Sequence, residues 1–258
     1  MNLADMSIKE IRMAIEKLDE ISNDFLQCLQ ADKRAGVQAL AKQAEAAMAR
    51  RAKLAQMWTE MTAYERALHE KGYSRVFGVD EVGRGPLAGP VVASCVCLPP
   101  DFYLPGLNDS KKVPVAAREA FYEVIMRDAV AVGIGIVDAA RIDAINILAA
   151  TKEAMKAAIE DAGVPADVLL IDAVQLNDVA CKQIPIIGGD AKSVSIAAAS
   201  IVAKVTRDKI MAEYAKQYPQ YGFDKNAGYG TAEHLAAIAT YRPTPLHRVT
   251  FTGVKEHA

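Results

Sequence analysis

Two adjacent acidic residues within an apolar run constrain this chain more than any other feature of its sequence. The run, residues 78–92, reads GVDEVGRGPLAGPVV, and in it Asp80 and Glu81 end an apolar stretch just before a GRG turn. A buried, unpaired carboxylate costs several kcal/mol or stays protonated, and a divalent cation is the usual compensation. The glycine turn offers free backbone N–H groups and one guanidinium, which suit a phosphodiester backbone. Metal and phosphate chemistry side by side indicates a nuclease.

The composition is that of an ordinary globular chain. Of the 258 residues, 52% are hydrophobic, which is enough for a large core, and 24% are charged, as in an ordinary soluble protein. The formal net charge is −2, so any contact with nucleic acid must come from a local basic face. No apolar run approaches the ~20 residues of a membrane-spanning helix. Residues 1–20 are acidic and lack the apolar core of a signal peptide.

The cysteines give no sign of a zinc site or a disulfide framework. They form no CxxC pair and have no zinc-ligand spacing, and two of them sit two residues apart in a predicted strand, where they cannot readily bridge each other. The four are Cys28, Cys95, Cys97 and Cys181. We expect small, reduced residues in a cytoplasmic protein.

The sequence changes character near residue 73. Residues 1–72 contain no proline and, apart from Gly72, a single glycine, which is a helical composition. Ser7 and Glu10 have the spacing of a capping box, and further helices are predicted over about 35–57 and 60–70. We predict a helical N-terminal extension over 1–72 and a catalytic domain over 73–258. The extension has neither the paired acids nor the glycine turn, so the chemistry is expected to survive without it.

A basic cluster lies in this extension. Arg50, Arg51 and Lys53 fit either a solvated helix face or a helix that faces nucleic acid, and the even balance of acids and bases nearby weakens the second interpretation.

From residue 73 onward, strands alternate with helices. The predicted strands are Arg75–Asp80, Gly89–Leu98, Ala131–Val137, Val168–Asp172 and Ile184–Ile187. The predicted helices are Pro114–Ala129, Ile145–Ala162, 191–217 and 231–239. Three strands joined by short connections predict an antiparallel meander, and the helix at 145–162 then allows a parallel crossover. The fold class is therefore α/β with a mixed five-stranded sheet flanked by helices.

Four acids belong to three strand ends. Asp80 and Glu81 close the first strand, Asp172 ends the fourth, and Asp190 follows the fifth. Oxygen ligands without nearby His or Cys favour Mg²⁺ or Mn²⁺ over zinc. Two such ions about 4 Å apart can activate a water and stabilise a leaving oxygen. Simpler interpretations remain open, with Asp190 as a helix cap, Asp172 as a turn residue and the adjacent pair as salt-bridge partners.

Four long blocks of the chain resemble one known family. They are GVDEVGRGPLAGPVV, the loop Asn108–Lys112, the stretch GDAKSVSIAAASIVAKVTRD from Gly189 to Asp208, and GYGT with EH at Gly228–His234. In their order and spacing, across residues 73–252, they closely resemble bacterial ribonuclease HII. The resemblance implies a ribonuclease H-like fold and an endonuclease that cuts the RNA strand of RNA–DNA hybrids. It also implies nicking of duplex DNA 5′ to an embedded ribonucleotide, the step that initiates ribonucleotide excision repair.

The resemblance implies further properties. It describes a two-metal hydrolase that uses Mn²⁺ or Mg²⁺, leaves 5′-phosphate and 3′-hydroxyl ends, and works as a cytoplasmic monomer without a membrane partner. The metal ligands fall on Asp80, Glu81, Asp172 and Asp190. The substrate contacts fall on Gly83, Arg84, Gly85, Asn108, Ser110, Lys111, Lys192 and Tyr229. The extension resembles a helical segment of some members from Gram-positive bacteria.

Two positions depart from the family pattern and remove positive charge. Gly188 and Ala227 stand where many members have lysine. We expect Lys192, Lys204, Lys225 and Arg207 to supply that charge instead.

The proposed chemistry is consistent with the residues. The 2′-OH is the only feature that separates a ribonucleotide from its DNA neighbours. A glycine turn can bring backbone groups against it, and Tyr229 can stack on the adjacent sugar or base. Two plainer interpretations stay open, with Tyr229 as core filler and Arg84 in a structural salt bridge. His234 and His247 are expected to be structural.

Two rival functions remain at this point. One is another nuclease on the same fold, such as a Holliday-junction resolvase or an exonuclease, which would lack the pairing of a GRG turn with Tyr229. The other is a binding module without activity, which would not place four acids near a polyanion.

Overall fold

The computed structural model describes residues 3–18 and 21–258, and within it the chain divides into two compact units, Met1–Met57 and Trp58–Ala258. Of the residues considered above, Met1, Asn2, Asp19 and Glu20 lie outside the described part. The division at residue 57 falls earlier than the change in composition near residue 73. A boundary at residue 72 between extension and catalytic domain remains a prediction. No helix in the described ranges is both long enough and apolar enough to cross a bilayer.

The N-terminal region is helical, as predicted. Its helices are α1 (Ile8–Glu16), α2 (Asn23–Ala31), α3 (Ala35–Met61) and α4 (Ala63–His69). The capping box is present, since Ser7 Oγ accepts from Glu10 N and a Glu10 carboxylate oxygen accepts from Ser7 N at 2.8 Å. Helix α2 was not predicted, because nine residues show too little periodicity; its N-cap is Ser22. The first unit has its own small core, formed by Leu3, Ile11, Leu29, Val37, Leu40 and Ala41.

The second unit contains the predicted mixed sheet. Its strands are β1 (Val76–Val82), β2 (Val91–Cys97), β3 (Ala131–Val137), β4 (Val168–Asp172) and β5 (Lys182–Ile186), in the order β3-β2-β1-β4-β5. The pairs β1–β2 and β2–β3 are antiparallel, while β1–β4 and β4–β5 are parallel. This confirms the meander followed by a parallel crossover.

Helices cover both faces of this sheet. The helices that follow β2 along the chain are α5 (Val115–Asp128), α6 (Ala139–Ile145), α7 (Ile147–Asp161), α8 (Val194–Gln217), α9 (Phe223–Asn226) and α10 (Ala232–Tyr241). Helix α7 packs on one face, and α8 with α5 packs on the other. Gly78 on β1 lets α8 approach closely, because a Cβ there would lie 2.0 Å from the carbonyl carbon of Ser195.

Two boundaries differ from the predictions in ways that affect the site. Strand β1 continues to Val82, so Glu81 lies within the strand. Helix α8 begins at Val194 and not at 191, because Ser193 is its N-cap and Asp190 lies in a separate 3₁₀ turn, Gly189–Ala191. The interpretation of Asp190 as the helix cap is therefore wrong.

Candidate active site

The topology brings the strand-end acids to one edge of the sheet. Strands β1 and β4 are parallel neighbours with Val79 paired to Ile171, so Asp80 and Asp172 occupy the next position on adjacent strands. The 3₁₀ turn that carries Asp190 joins the same edge, since Gly189 N donates to Asp172 Oδ1 at 2.8 Å. This edge corresponds to the carboxyl ends of the two parallel strands.

The electrostatics of these acids show mutual repulsion in a poorly solvated place. Burial raises the pKa of Asp80 well above its ordinary value, and the charges of Glu81 and Asp172 raise it further. Burial also raises the pKa of Glu81, although the neighbouring Arg84 guanidinium lowers it. The pKa of Asp190 is raised by burial and then by the charges of Asp109 and Asp172.

A hard divalent cation fits this set of donors. Glu81 Oε2 is buried and has no hydrogen-bond partner, so an oxygen ligand is free for a further interaction. Carboxylate oxygens are donors that Mg²⁺ and Mn²⁺ prefer, and the charge of such a cation would offset the repulsion among these acids. Within residues 3–18 and 21–258, no three acidic, histidine or cysteine side chains lie close enough together, as they stand, to hold a metal ion. The acids thus share an edge, and a cation would have to draw their oxygens together.

Ser200 extends the site onto α8. Its hydroxyl lies near Asp80 and counters part of the rise in the pKa of that carboxyl. Ser200 Oγ also lies 3.0 Å from Ser110 Oγ, and both residues are buried. Ser110 stays a predicted substrate contact, and its buried position also links its loop to Ser200 on α8. Sequence reasoning missed Ser200, whose only signal is a small polar residue in an alanine-rich helix.

The loop Asn108–Lys112 borders the acids. Asn108 Oδ1 accepts from Asp109 N at 2.8 Å, which shapes the turn. Lys111 is exposed, and its charge lowers the pKa of both Glu81 and Asp190. Lys192 lies beyond the 3₁₀ turn and donates to Ile187 O at 2.8 Å.

The two glycines of the GRG turn differ in backbone conformation and in their surroundings. Gly83 has φ +93°, and a Cβ there would lie 2.3 Å from Arg207 Nε, so this glycine is required within the protein itself. Gly85 has no positive φ, and a Cβ there would meet only Tyr229 Cε1, at 3.6 Å. Gly85 and the Tyr229 ring are therefore neighbours. Arg84 forms the ion pair considered from the sequence, 3.4 Å from Glu81, with 47% of its side chain exposed.

Two buried arginines hold the backbone around this turn. Arg248 donates from Nη1 to Arg84 O at 2.9 Å and from Nη2 to the carbonyl oxygens of Gly83 and Gly89. The C=O and N–H of a trans peptide point in opposite directions, so the N–H groups of Arg84 and Gly85 point away from Arg248. The arginine thus sets the direction of two peptide groups in the turn.

Arg207 connects the turn region to the tyrosine loop. It donates to the carbonyl oxygens of Ala88, Pro90 and Ala227 and is fully buried. The expectation that Arg207 supplies charge to nucleic acid is therefore wrong. Its guanidinium donates hydrogen bonds to carbonyl oxygens, and burial lowers its pKa. Lys204 is likewise engaged, 2.6 Å from Asp208.

A histidine pair holds the backbone of Tyr229. His247 Nδ1 accepts from Thr244 N at 3.0 Å, so in the neutral ring its proton is on Nε2, which lies 3.0 Å from His234 Nε2. The proton of His234 is then on Nδ1, which donates to Tyr229 O at 2.9 Å. Both histidines are structural, as expected. The Tyr229 side chain is 46% exposed, which excludes the core-filler interpretation.

Comparisons with known proteins agree with this architecture. The sequence matches the family described as Ribonuclease HII over residues 77–254 and the Ribonuclease HII N-terminal domain over residues 7–69. Ribonuclease HII from Bacillus subtilis strain 168 is 51% identical over 251 residues, covering 97% of this chain and 98% of that protein. The Enterococcus faecalis V583 enzyme is 50% identical over 254 residues, covering 98% and 99%.

Solved structures share the fold at lower identity. Ribonuclease H2 from Pyrococcus horikoshii OT3 has a TM-score of 0.61 at 23% identity, covering 70% of this chain and 96% of that one. Bst-RNase HIII in complex with Mn²⁺ has a TM-score of 0.55 at 19% identity, covering 73% and 70%. The fold is thus that of a ribonuclease H-like nuclease. The chain belongs to the ribonuclease HII family, whose members cleave the RNA of RNA–DNA hybrids.

Proposed function

We propose that this protein is a metal-dependent endoribonuclease that both cleaves the RNA strand of RNA–DNA hybrids and nicks duplex DNA 5′ to an embedded ribonucleotide. The observation that carries the proposal is the shared edge where the carboxylates of β1, β4 and the 3₁₀ turn adjoin the GRG turn and Tyr229. Acids alone would support many nucleases. Acids beside a turn of outward peptide groups and an exposed tyrosine support one that reads a ribose.

In this proposal, four carboxylates hold Mn²⁺ or Mg²⁺: Asp80, Glu81, Asp172 and Asp190. Two divalent ions held by these carboxylates would supply the activation of a water and the stabilisation of the leaving oxygen, and such hydrolysis would leave 5′-phosphate and 3′-hydroxyl ends. The protein keeps Asp80 buried against Ser200 and leaves Glu81 Oε2 free. The Mn²⁺ in the related Bst-RNase HIII structure supports the choice of metal class.

The turn and the tyrosine select the substrate. With their carbonyl oxygens bound to Arg248, the peptide groups of the GRG turn direct the N–H of Arg84 and Gly85 toward the ribose 2′-OH. Tyr229, whose ring borders Gly85, stacks on the neighbouring sugar or base. Asn108, Lys111 and Lys192 contact the phosphodiester backbone from the rim of the site.

The biological setting follows from the family. We propose that the protein acts as a monomer in the cytoplasm and begins the removal of ribonucleotides from DNA, with RNA–DNA hybrids and ribonucleotide-containing duplexes as its partners. Membranes have no role in this account.

A cleavage assay on matched duplexes tests the function. Three substrates are needed: an RNA–DNA hybrid, a DNA duplex with one ribonucleotide, and the same duplex without it, each with Mn²⁺, Mg²⁺ or chelator. We expect metal-dependent cutting of the first two, a nick directly 5′ to the ribonucleotide, and no cutting of the third. Efficient cutting of the all-DNA duplex would favour the resolvase or exonuclease interpretation. Tight binding without any cutting would favour a binding module.

A further inference from the structure

A buried glutamate outside the acid cluster makes an unusual set of contacts. Glu65 lies on α4 and is only 6% exposed. Its Oε1 accepts from Ser193 Oγ at 2.5 Å and from Ser195 N at 3.0 Å. Removing a carboxylate from water is costly unless its oxygens receive hydrogen bonds. Here both hydrogen bonds go to Oε1, while Oε2 is buried without a hydrogen-bond partner.

Both contacts are made to the first turn of α8. Ser193 is the N-cap of this helix, and its own Oγ accepts from Ile196 N at 3.2 Å. The first N–H groups of a helix lack intrahelical partners, and a negative charge near them is favourable. Glu65 accepts from one of these N–H groups, that of Ser195, and the Ser193 hydroxyl accepts from the next, that of Ile196. The start of α8 is therefore fixed by a side chain from another helix.

The same first turn carries the segment that holds Asp190. Lys192 N and Ser193 N both donate to Gly189 O at 2.9 Å, which closes the 3₁₀ turn onto the helix start. At the other end of the segment, Gly189 N donates to Asp172 Oδ1. Residues 189–193 are thus held by one carboxylate on β4 and by a second on α4, with Asp190 between them.

The helix start has little freedom to move toward the sheet. The backbone of Ser195 lies directly over Gly78, where even a Cβ would come within 2.0 Å. Gly78 precedes Asp80 by two residues on β1. The contact between Ser195 and Gly78 therefore sets the distance of α8 from the acid-bearing strand. The hydrogen bonds of Glu65 fix where the first turn of α8 begins.

We propose that Glu65 is a positioning residue that holds Asp190 in place for metal binding. The inference rests on the proposed function, in which Asp190 is a metal ligand. In this proposal α4, the last helix of the N-terminal region, helps to position a metal ligand although it contributes no ligand itself.

The test is a calorimetric titration of the full-length protein with Mn²⁺, together with cleavage measured against metal concentration. Loss of a group that orients a metal ligand weakens metal affinity roughly 10- to 100-fold. We expect Glu65→Ala to weaken Mn²⁺ binding by about that factor and to raise the metal concentration for half-maximal cleavage in parallel, with KM for the duplex unchanged. Glu65→Gln keeps an oxygen at the Oε1 position and should stay close to the parent.

Matched variants separate positioning from general damage. Glu70→Ala removes an exposed carboxylate at the end of the same helix and should leave metal binding unchanged. Glu65→Asp keeps the charge but is one methylene too short to reach Ser193, so it carries the test if the alanine variant does not fold. Folded Glu65→Asp or Glu65→Ala proteins that bind Mn²⁺ like the parent would overturn the proposal. Asp190→Asn in the same titration tests the proposed function separately, since unchanged binding there would remove Asp190 from the ligand set.

Discussion

Gly83 and Gly85 lie in one turn, but only one of them can report on substrate recognition. Alanine at Gly83 would collide with Arg207 and force a positive φ on a residue that has a Cβ, so any loss of activity would be mixed with loss of fold. Alanine at Gly85 meets nothing closer than the Tyr229 ring at 3.6 Å. These two substitutions therefore form a natural pair, in which one disturbs the protein and the other is predicted to disturb only the binding of the ribose.

We predict that Gly85→Ala lowers cleavage of a duplex with one ribonucleotide by about 100-fold or more, the cost of roughly 3 kcal/mol in transition-state binding. Its melting temperature should stay within a few degrees of the parent. Gly83→Ala should lower the melting temperature clearly. Single-turnover cleavage and thermal unfolding of both variants check the prediction, and a Gly85→Ala enzyme with parental activity would argue against close approach of this turn to the ribose.

The buried arginines show where sequence reasoning at single residues fails. Arg207 and Arg248 each bind carbonyl oxygens from segments far away in the chain, and a carbonyl oxygen has no sequence signature. The acids could be predicted because a carboxylate at the end of an apolar strand is chemically conspicuous. An arginine inside an alanine-rich helix or a loop looks like surface charge until its partners are known.

The histidine pair between α10 and the following loop makes stability depend on pH. Burial lowers the pKa of His247 to about 4, and it also lowers the pKa of His234. The unfolded chain, with an ordinary histidine pKa near 6.5, binds more protons between those values than the folded protein does. The free energy of unfolding should therefore fall as the pH is lowered from about 7 to about 4, by at most roughly 3 kcal/mol for His247.

Chemical denaturation across this pH range measures the effect. His247→Asn places an amide oxygen where Nδ1 accepts from Thr244 N, but it cannot titrate. Its stability should change less with pH than that of the parent. Replacement of His257, a half-buried histidine outside this pair, should leave the pH dependence as it is in the parent. The same slope in the His247→Asn protein would mean that this pair does not titrate on unfolding.

The boundaries of elements were harder to predict than their existence. The five strands follow from apolar runs rich in valine and isoleucine between glycine and proline signals. Helix α6 was not predicted, and the helix predicted from Ile145 begins at Ile147, because Asn146 adopts φ 70° and accepts from Leu148 N and Ala149 N. This break between two helices is a local change of backbone conformation stabilised by one side chain, and hydrophobic periodicity does not reveal it.

In the molecule as a whole, the sequence predicted the sheet and the cluster of acids, but not the packing of residues 58–72. Met61 and Leu68 are buried in the second unit, and Glu65 binds the start of α8. These contacts depend on tertiary placement, whereas the helical composition of 1–72 only suggested an appendage. The expectation that the chemistry survives without residues 1–72 therefore needs a more specific test.

We predict that a fragment of residues 58–258 is more stable than a fragment of residues 73–258. Full burial of one leucine side chain contributes about 1.5–3 kcal/mol, so losing Leu68 and its neighbours should lower the melting temperature by roughly 10 °C. Both fragments should nick at the same position if they fold. Equal melting temperatures would show that residues 58–72 add little to the catalytic unit.

The clustered carboxylates are proposed to bind the metal ions that cleave next to a ribonucleotide, and replacement of Asp80 tests this proposal most directly. The measurement is single-turnover cleavage of a duplex with one ribonucleotide by Asp80→Asn protein, at an enzyme concentration that saturates the duplex. We predict a rate about 10³-fold or more below that of the parent, with binding equal or tighter because a negative charge near phosphate is gone. A rate within about tenfold of the parent would contradict the account.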